Sequence, residues 1–301
     1  MPDSRGALKI VAVLLVLPLL AAGCRGPRPA RAFVEQARRL HADALVSAVS
    51  RQPDLAEYVQ LIGDRLVAGA REAAPDKARD AMFARMKFHV VDVATVNVFT
   101  TGGEHVYVYA GLVAACDNEE ELAAAVAHSV AHAVNLDVQN LGIRPDPRGR
   151  AAPDAVAWQF VLNRFTAQQE WAADKLAFAI YARAGWDPDR FGTLYTRLGD
   201  EYRGPTSVDR APLSIRPEAA RVSGVDVNRR WRRPPVADRR TFGEMREAAR
   251  SVAGSARQGM AAEVLLRALP NCVLPGDQPD QLQAQEMIRP APPPEVPIEP
   301  S

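Results

Sequence analysis

The sequence is poor in the residues that most often bind metals and carry acid–base catalysis. Its 301 residues contain five histidines and three cysteines, and 6% are aromatic. The first 132 residues hold every histidine, which excludes imidazole chemistry from the C-terminal half; they are His41, His89, His105, His128 and His132. The formal net charge is only +1. This balance of charges argues against nucleic acid as a partner.

The N-terminal apolar stretch, residues 10–22, is too short for a membrane-spanning helix, which needs about 20 residues. Arg5 and Lys9 precede it, and small residues lead from it to Cys24. The segment resembles a bacterial lipoprotein signal, which implies cleavage before Cys24 and a lipid (palmitate) on that cysteine. By the same resemblance, Arg25 implies sorting to the periplasmic face of the outer membrane. An uncleaved anchor is the alternative.

Cys116 and Cys272 are the two cysteines that remain after Cys24. In an oxidising periplasm two such thiols can form a disulfide. The alternative is that Cys116, which lies just before a predicted helix, is simply a buried thiol. The sequence leaves both interpretations open.

A damaged zinc motif is the most informative feature of the chain. Residues 127–132 read Ala-His-Ser-Val-Ala-His, which is the H-E-x-x-H motif with serine at position 129. Asn118 and Glu121 have capping-box spacing, and residues 122–134 contain neither glycine nor proline, so the motif is predicted to be helical. Two histidines four apart on a helix can bind one zinc ion. Ser129, however, is short and neutral.

A second predicted helix, residues 166–184, supplies the carboxylates that a zinc site needs. Glu170 and Asp174 share one face of it. Glu170 would complete a three-ligand site with His128 and His132. Asp174 would hold a ligand histidine through its second ring nitrogen. Taken singly, each feature has an ordinary interpretation as a partly buried histidine or a solvated helix face, but their order and spacing together favour a metal site.

Several stretches of the chain follow one protein family in order; they are 97–99, 106–112, 118–122, 127–132, 170–174 and 182–188. From about residue 54 to about residue 222, the chain resembles the HtpX-like and CAAX-prenyl-protease-like zinc metallopeptidases in their periplasmic lipoprotein form. The resemblance implies an α+β, zincin-like fold, mostly helical with a small sheet beside the motif helix. It also implies one Zn²⁺ per chain, held by His128, His132 and Glu170, and an edge strand near residues 106–109 that holds substrate backbone.

The chain departs from this family at three places. Ser129 replaces the catalytic glutamate, the Pro-Gly-Gly of the edge loop reads Gly-Gly-Glu at 102–104, and Arg216 replaces a histidine proposed in some relatives to bind the metal or the transition state. Arginine can stabilise an oxyanion but cannot ligate zinc. Because general-base catalysis contributes roughly 10² to 10⁴ in rate, at best a weak hydrolase remains. Glu104 or Asp137 could swing in as a surrogate base, but we expect a loop acid and a solvated acid instead.

Three functions are therefore open. The leading hypothesis is a zinc-binding pseudoenzyme that acts on unfolded or membrane-associated envelope polypeptides as a chaperone, adaptor or regulator in protein quality control. The second is an active zinc endopeptidase that degrades misfolded envelope proteins. The third is a structural lipoprotein whose histidines no longer meet a metal.

Along the chain we expect a signal peptide (1–23), a tether (24–30), a metallopeptidase-like domain (31–222), a helical extension (223–275) and a proline-rich disordered tail (276–301). Helices are predicted over 31–49, over 54–72 and again from residue 154, and strands over 86–93 and 106–109. The polar, proline-rich residues 137–153 predict a loop beside the site. The basic run from Arg229 to Arg233 is either a solvated linker or a contact with anionic lipid headgroups.

Overall fold

The fold class is α+β: the described residues are mostly helical, with a small mixed sheet beside the motif helix, and this confirms the prediction. The computed structural model describes residues 31–75, 77–102, 104–140, 143–145, 158–160, 165–201, 232–236 and 239–253. The predicted signal peptide, tether and C-terminal tail lie outside the described residues, as do Cys24, Arg216 and Cys272.

The α-helices in the described residues are α1 (Arg31–Leu40), α2 (Pro53–Ala73), α3 (Lys77–Phe83), α4 (Ala110–Ala115), α5 (Glu119–Asn135), α6 (Ala167–Ala184), α7 (Thr193–Glu201) and α8 (Arg239–Val252). The strands are β1 (Lys87–Val91), β2 (Val98–Thr100), β3 (His105–Tyr109), β4 (Ile143–Pro145) and β5 (Trp158–Phe160). A π-helical turn (His41–Leu45) follows α1, and 3₁₀ turns span Val46–Ala48, Asp137–Asn140 and Pro188–Arg190.

The main sheet has the strand order β1-β3-β2. The central strand, β3, pairs in parallel with β1 and antiparallel with β2. The expectation that residues 106–109 form an edge strand is therefore wrong, because the backbone of β3 is hydrogen-bonded on both sides. The edge strand that lies against the motif helix is β2, which the sequence analysis did not predict as a strand.

The sheet separates two apolar cores, because alternate residues of a strand point to opposite faces. Val106 and Val108 of β3 belong to the larger core, which they share with α2, α5 and α6. Tyr107 and Tyr109 belong to the smaller core, which is covered by α1 and the turns after it. Each face of the sheet therefore has its own helical cover.

The motif helix, α5, lies at the centre of the larger core and is buried on nearly all sides. Its alanine-rich composition permits this, since small side chains let neighbouring helices approach closely. The predicted cap is confirmed at the N-terminus, where the Asn118 side chain accepts a hydrogen bond from the backbone N–H of Glu121 at 3.0 Å. At the C-terminus Leu136 adopts a left-handed conformation, with φ of 62°. This turn places Asp137 directly beneath the end of the helix.

Helices α2 and α6 cross closely on one side of α5. A Cβ atom at Gly69 of α2 would lie 2.4 Å from the backbone oxygen of Ile180 in α6, so this contact requires glycine. The predicted limits of α6 are confirmed: Thr166 forms a capping box with Gln169, and Gly185 ends the helix with φ of 94°. The predicted apolar face of α2 is also buried; it comprises Leu55, Tyr58, Val59, Ile62 and Leu66.

Two of the helix predictions are wrong in part. Regular α-helix ends at Leu40, and a π-helical turn replaces the predicted continuation toward residue 49. A helix from residue 154 is contradicted at Trp158–Phe160, which pairs with Ile143–Pro145 as a two-stranded sheet. The aromatic residues of this segment favour a strand once a partner is present, and pairing overrides local helix propensity.

The described part of the basic run packs back onto the domain. The backbone N–H of Arg233 donates to the carbonyl of Gly185 at 2.8 Å, and the Arg232 guanidinium lies 2.7 Å from Asp187. Helix α8 then adds Phe242, Ala249 and Val252 to the larger core. Both arginine side chains are nevertheless exposed, so the solvated interpretation fits Arg232 and Arg233, and the lipid contact stays a prediction. In the described residues, no helix is long and apolar enough to cross a membrane.

Candidate metal centre

The two motif histidines and Glu170 meet between α5 and α6. The Nε2 atoms of His128 and His132 lie 3.0 Å apart. One carboxylate oxygen of Glu170 lies 3.1 Å from Nε2 of His128 and 3.7 Å from Nε2 of His132. Three potential ligand atoms therefore converge on one point, as the sequence analysis predicted.

These separations fit a zinc ion. Two ligands about 2.0 to 2.1 Å from a tetrahedral zinc lie about 3.3 Å apart, and the three observed distances bracket that value. Two imidazoles and one carboxylate are also a donor set that zinc accepts with a fourth position open. The residues present therefore fit the metal.

A carboxylate holds each ligand histidine from behind. Asp174 lies 2.8 Å from Nδ1 of His128, the contact predicted from sequence. Asp137 lies 2.9 Å from Nδ1 of His132. Such contacts fix the ring orientation and leave Nε2 directed at the metal.

Asp137 is the functional residue that the sequence analysis missed. The expectation of a solvated acid is wrong, because Asp137 is buried and one carboxylate oxygen contacts His132. Its other carboxylate oxygen accepts a hydrogen bond from the Gln169 side chain at 3.3 Å. Both oxygens are thus engaged, which excludes Asp137 as a surrogate base in this arrangement. The signal in the sequence was an acid placed directly after the helix end, five residues beyond His132.

The site is closed around the imidazoles and more open at the carboxylate. The side chains of His128 and His132 are 0% exposed, whereas that of Glu170 is 17% exposed. The ring of Phe165 stacks on His132 with centroids 3.9 Å apart. Solvent therefore reaches the site mainly beside Glu170. The Phe165 ring excludes water from His132, which strengthens electrostatic interactions within the site.

Negative charge dominates the site. Glu170, Asp174 and Asp137 all lie within hydrogen-bonding distance of the two imidazoles. Burial alone would lower the pKa of His132, but its hydrogen bonds with Asp137 and Glu170 outweigh burial and raise that pKa. Three carboxylates around two histidines favour a bound cation, which zinc would satisfy.

Ser129 occupies the position of the missing glutamate and is fully buried in α5. Its hydroxyl has no hydrogen-bond partner among the described residues. A neutral hydroxyl cannot accept a proton as a carboxylate does. The helix therefore keeps the two ligand positions of the motif and lacks its proton acceptor.

Glu104, the other acid considered as a surrogate base, is also engaged elsewhere. It lies in the loop before β3, as expected of a loop acid, but its side chain is buried. It accepts two hydrogen bonds from Arg38, at 2.7 and 2.8 Å, and another from Arg85. The Arg38 hydrogen bonds, together with Arg85, hold its pKa below the usual value. Glu104 joins α1 to the sheet and supplies no base to the metal centre.

Of the remaining predicted site residues, Cys116 is in the described part of the chain and takes no part in this centre. Cys116 is completely buried at the end of α4, and burial raises the pKa of its thiol. Its pairing with Cys272 stays a prediction, since Cys272 lies outside the described residues, as do Arg216 and the lipidation candidate Cys24.

Comparison with known proteins agrees with the geometry. Residues 56–143 match peptidase family M48. The chain is 27% identical over 178 residues to a putative beta-barrel assembly-enhancing protease of Vibrio cholerae, covering 52% of this chain and 35% of that protein. The Yersinia pestis protein of that name is 25% identical over 179 residues, 50% of this chain and 34% of its own length. The mitochondrial metalloendopeptidase OMA1 of Schizosaccharomyces pombe is 27% identical over 128 residues, 38% of each chain.

The matches leave most of each relative's length unmatched. The chain spans about a third of the length of the bacterial relatives. The family match includes both motif histidines and ends before Glu170. The third ligand position is therefore identified here by the geometry.

Proposed function

We propose that the chain, of which residues 56–143 match peptidase family M48, is a zinc-binding pseudoenzyme of the bacterial cell envelope. One observation carries the proposal. His128, His132 and Glu170 keep their convergence, while Ser129 stands in the same helix where a carboxylate base is needed. The metal-binding half of the motif is retained and the proton-transfer half is lost.

The residues divide into three roles. His128, His132 and Glu170 would hold the zinc ion, and Asp174 and Asp137 keep the two imidazoles oriented toward it. When bound, zinc supplies Lewis acidity and lowers the pKa of a bound water toward about 7. Ser129 offers no group that takes a proton from an attacking water or returns it to a leaving amine.

The rate contribution of the missing carboxylate indicates how much activity the site could retain. General acid–base catalysis contributes roughly 10² to 10⁴ in rate, or roughly 3 to 5.5 kcal/mol of barrier. Asp137 and Glu104 are held by other side chains and do not compensate for it. Proteolysis by the natural sequence is therefore absent or very slow.

The substrates of this site are unfolded or membrane-associated envelope polypeptides, bound without efficient cleavage. Two relatives carry names that refer to beta-barrel assembly, which supports an envelope role for this chain. If an extended polypeptide adds to the sheet, β2 is the edge strand beside α5. The chain then acts as a chaperone or adaptor in protein quality control.

A lipid on Cys24 places this function at the membrane surface. The charged start, the short apolar core and the small residues before Cys24 support a lipoprotein signal. The domain would then face the periplasm from the outer membrane.

Metal analysis coupled to a casein-cleavage assay on the purified chain tests this proposal. We expect one tightly held zinc at the His128, His132 and Glu170 centre, the loss of that one equivalent in His132→Ala, and little or no cleavage by the wild type. Zinc-dependent cleavage at the rate of an active peptidase would instead support the second candidate, a working endopeptidase. A wild type that retains no zinc after gentle purification with zinc supplied would leave only a structural protein.

A further inference from the structure

The three histidines outside the metal centre form a second cluster, which we call the sheet triad: His41, His89 and His105. Together with His128 and His132 they account for all five histidines of the chain. The triad lies on the face of the main sheet that is covered by α1 and the turns after it. All three side chains are half-buried.

The backbone brings the triad together. In the parallel pairing of β1 with β3, His89 lies opposite Tyr107 and His105 lies opposite Lys87. Residues directly opposite in a ladder share a face, so His89 and His105 are diagonal neighbours on the same side of the sheet. The π-helical turn after α1 begins at His41 and brings its ring over them, 4.2 Å from the ring of His105 and 4.6 Å from that of His89.

The nitrogen atoms lie close enough for a shared ligand. Nε2 of His89 is 2.9 Å from Nδ1 of His105, and one ring nitrogen from each of the three residues lies within 4.8 Å of the others. Metal–nitrogen bonds of about 2.0 to 2.1 Å place two ligand nitrogens about 3.3 Å apart in a tetrahedral site. The His41 ring is stacked on the other two, with interplanar angles of 11° to His105 and 24° to His89, so the rings must turn before their in-plane lone pairs meet at one metal.

The Tyr107 hydroxyl orients one of the three rings. Nδ1 of His41 lies 2.9 Å from the Tyr107 hydroxyl, a contact that leaves Nε2 as its coordinating atom. Neutral imidazoles present the lone pairs that a metal requires.

The charges around the triad select the kind of metal. Lys87 and Arg38 act against a cation, and Glu104 favours one but is already paired with arginines. Without a free carboxylate the triad offers nothing to calcium or magnesium, which need oxygen ligands. Three imidazole nitrogens instead suit late first-row divalent ions. Among these ions Cu²⁺ binds such ligands most tightly, and Zn²⁺ also accepts imidazole ligands.

We infer that the sheet triad is a second metal site, a three-imidazole site for Cu²⁺ or Zn²⁺ on the sheet face opposite the main core. It shares no residue with the His128, His132 and Glu170 centre. Its existence therefore does not depend on the function proposed for that centre.

The test removes the first centre and probes the second. The full chain, free of any affinity tag and carrying His132→Ala, is titrated with Cu²⁺ and followed by calorimetry and electron paramagnetic resonance. We expect one equivalent to bind, with nitrogen hyperfine structure from three imidazoles. Adding His89→Ala should weaken binding by at least about 100-fold. Adding Lys87→Gln instead, directly opposite His105 in the ladder and without a ligand atom, should leave binding intact or strengthen it.

Two results would overturn the inference. One is a His132→Ala protein that binds no Cu²⁺, or binds it with the nitrogen signature of a single imidazole, which is what His128 and Glu170 alone would give. The other is equal binding with and without His89, while circular dichroism shows both proteins folded. If the His132→Ala/His89→Ala protein fails to fold, His132→Ala/His41→Gln takes its place. His41 lies in the turn after α1 and not in a strand, so its replacement leaves the sheet intact. A failure of the first zinc centre is seen separately, as an unchanged zinc content between wild type and His132→Ala.

Discussion

At the residue scale, the metal centre depends on two aspartates behind its histidines as much as on its three ligands. Asp174 contacts His128 and Asp137 contacts His132 at nearly the same distance, 2.8 and 2.9 Å. Asp174 was predictable because it lies one turn after Glu170 on the same helix. Asp137 was not, because its role depends on the left-handed turn at Leu136, and leucine rarely adopts that conformation.

Replacing Asp137 with asparagine tests the second of these contacts. The Asp137→Asn variant keeps the shape of the side chain but loses the charge that orients His132, so zinc affinity should fall by about 10- to 100-fold. Competition with a chromophoric chelator measures the affinity. Asp189→Asn, a change at an acid that is 80% exposed, is the matched control and should bind like the wild type. Equal affinities for the two variants would show that Asp137 has no part in metal binding.

At the scale of elements, the helices that carry the site were predictable in their limits. Asn118 and Thr166 are side-chain caps, and Gly185 is a left-handed end, so local chemistry alone marks the start of α5 and both ends of α6. The mixed sheet was predictable only in part. Strand β2 is three residues long and derives its identity from pairing with β3, which local sequence does not encode.

The histidines of the sheet triad show the same limit. They lie at positions 41, 89 and 105, and only the β1–β3 register and the π-helical turn bring them together. No spacing rule connects them in the sequence. The His128 and His132 pair, by contrast, is local to one helix and was recognised directly.

The close contact between α2 and α6 predicts that replacing Gly69 will destabilise the domain. Gly69→Ala would place Cβ 2.4 Å from a backbone oxygen of α6. The resulting shift of the helices should destabilise the domain by about 1 to 3 kcal/mol, more than the gain in helix propensity of about 1 kcal/mol. Urea denaturation measures the free energy of unfolding.

Gly243→Ala in α8 is the matched control, since a Cβ there meets no atom within 4 Å. The control should be neutral or stabilising by up to about 1 kcal/mol. A Gly69→Ala protein as stable as this control would mean that α2 and α6 can separate at little cost.

The ion pairs of Glu104, which link α1 to β3, should make the stability of the fold depend on pH. Arginine neighbours lower the pKa of Glu104 in the folded state. The ionised Glu104 carboxylate therefore stabilises the fold above pH 4.5, near its pKa in the unfolded chain. This stabilisation is lost as the pH falls through the lower pKa of Glu104 in the folded state. Glu104→Gln should reduce stability at neutral pH and flatten the acid limb of the stability curve.

Unfolding by urea across a pH series checks this expectation. Glu35→Gln is the control, because the Glu35 side chain is 52% exposed on α1, and exposed pairs contribute little. Parallel pH profiles for wild type and Glu104→Gln would rule out a contribution from this carboxylate.

At the scale of the whole molecule, the chain combines a region that matches peptidase family M48 with an N-terminal segment that resembles a lipoprotein signal. Cys24→Ala should block processing and leave a precursor that keeps residues 1–23. Mass spectrometry of the membrane fraction tests this directly. A wild-type protein with an intact signal, or with a mature N-terminus elsewhere, would contradict the lipid tether.

The central claim is that one substitution separates metal binding from catalysis in this domain. Casein cleavage by wild type and Ser129→Glu, compared at equal and measured zinc content, tests it most directly. We predict that Ser129→Glu cleaves faster, recovering part of the roughly 10² to 10⁴ that a general base contributes. Because Ser129 is fully buried and Arg216 replaces a histidine, recovery should be incomplete. A wild type that already cleaves as fast as the zinc-loaded Ser129→Glu variant, or a zinc-loaded variant that stays inert, would contradict the claim.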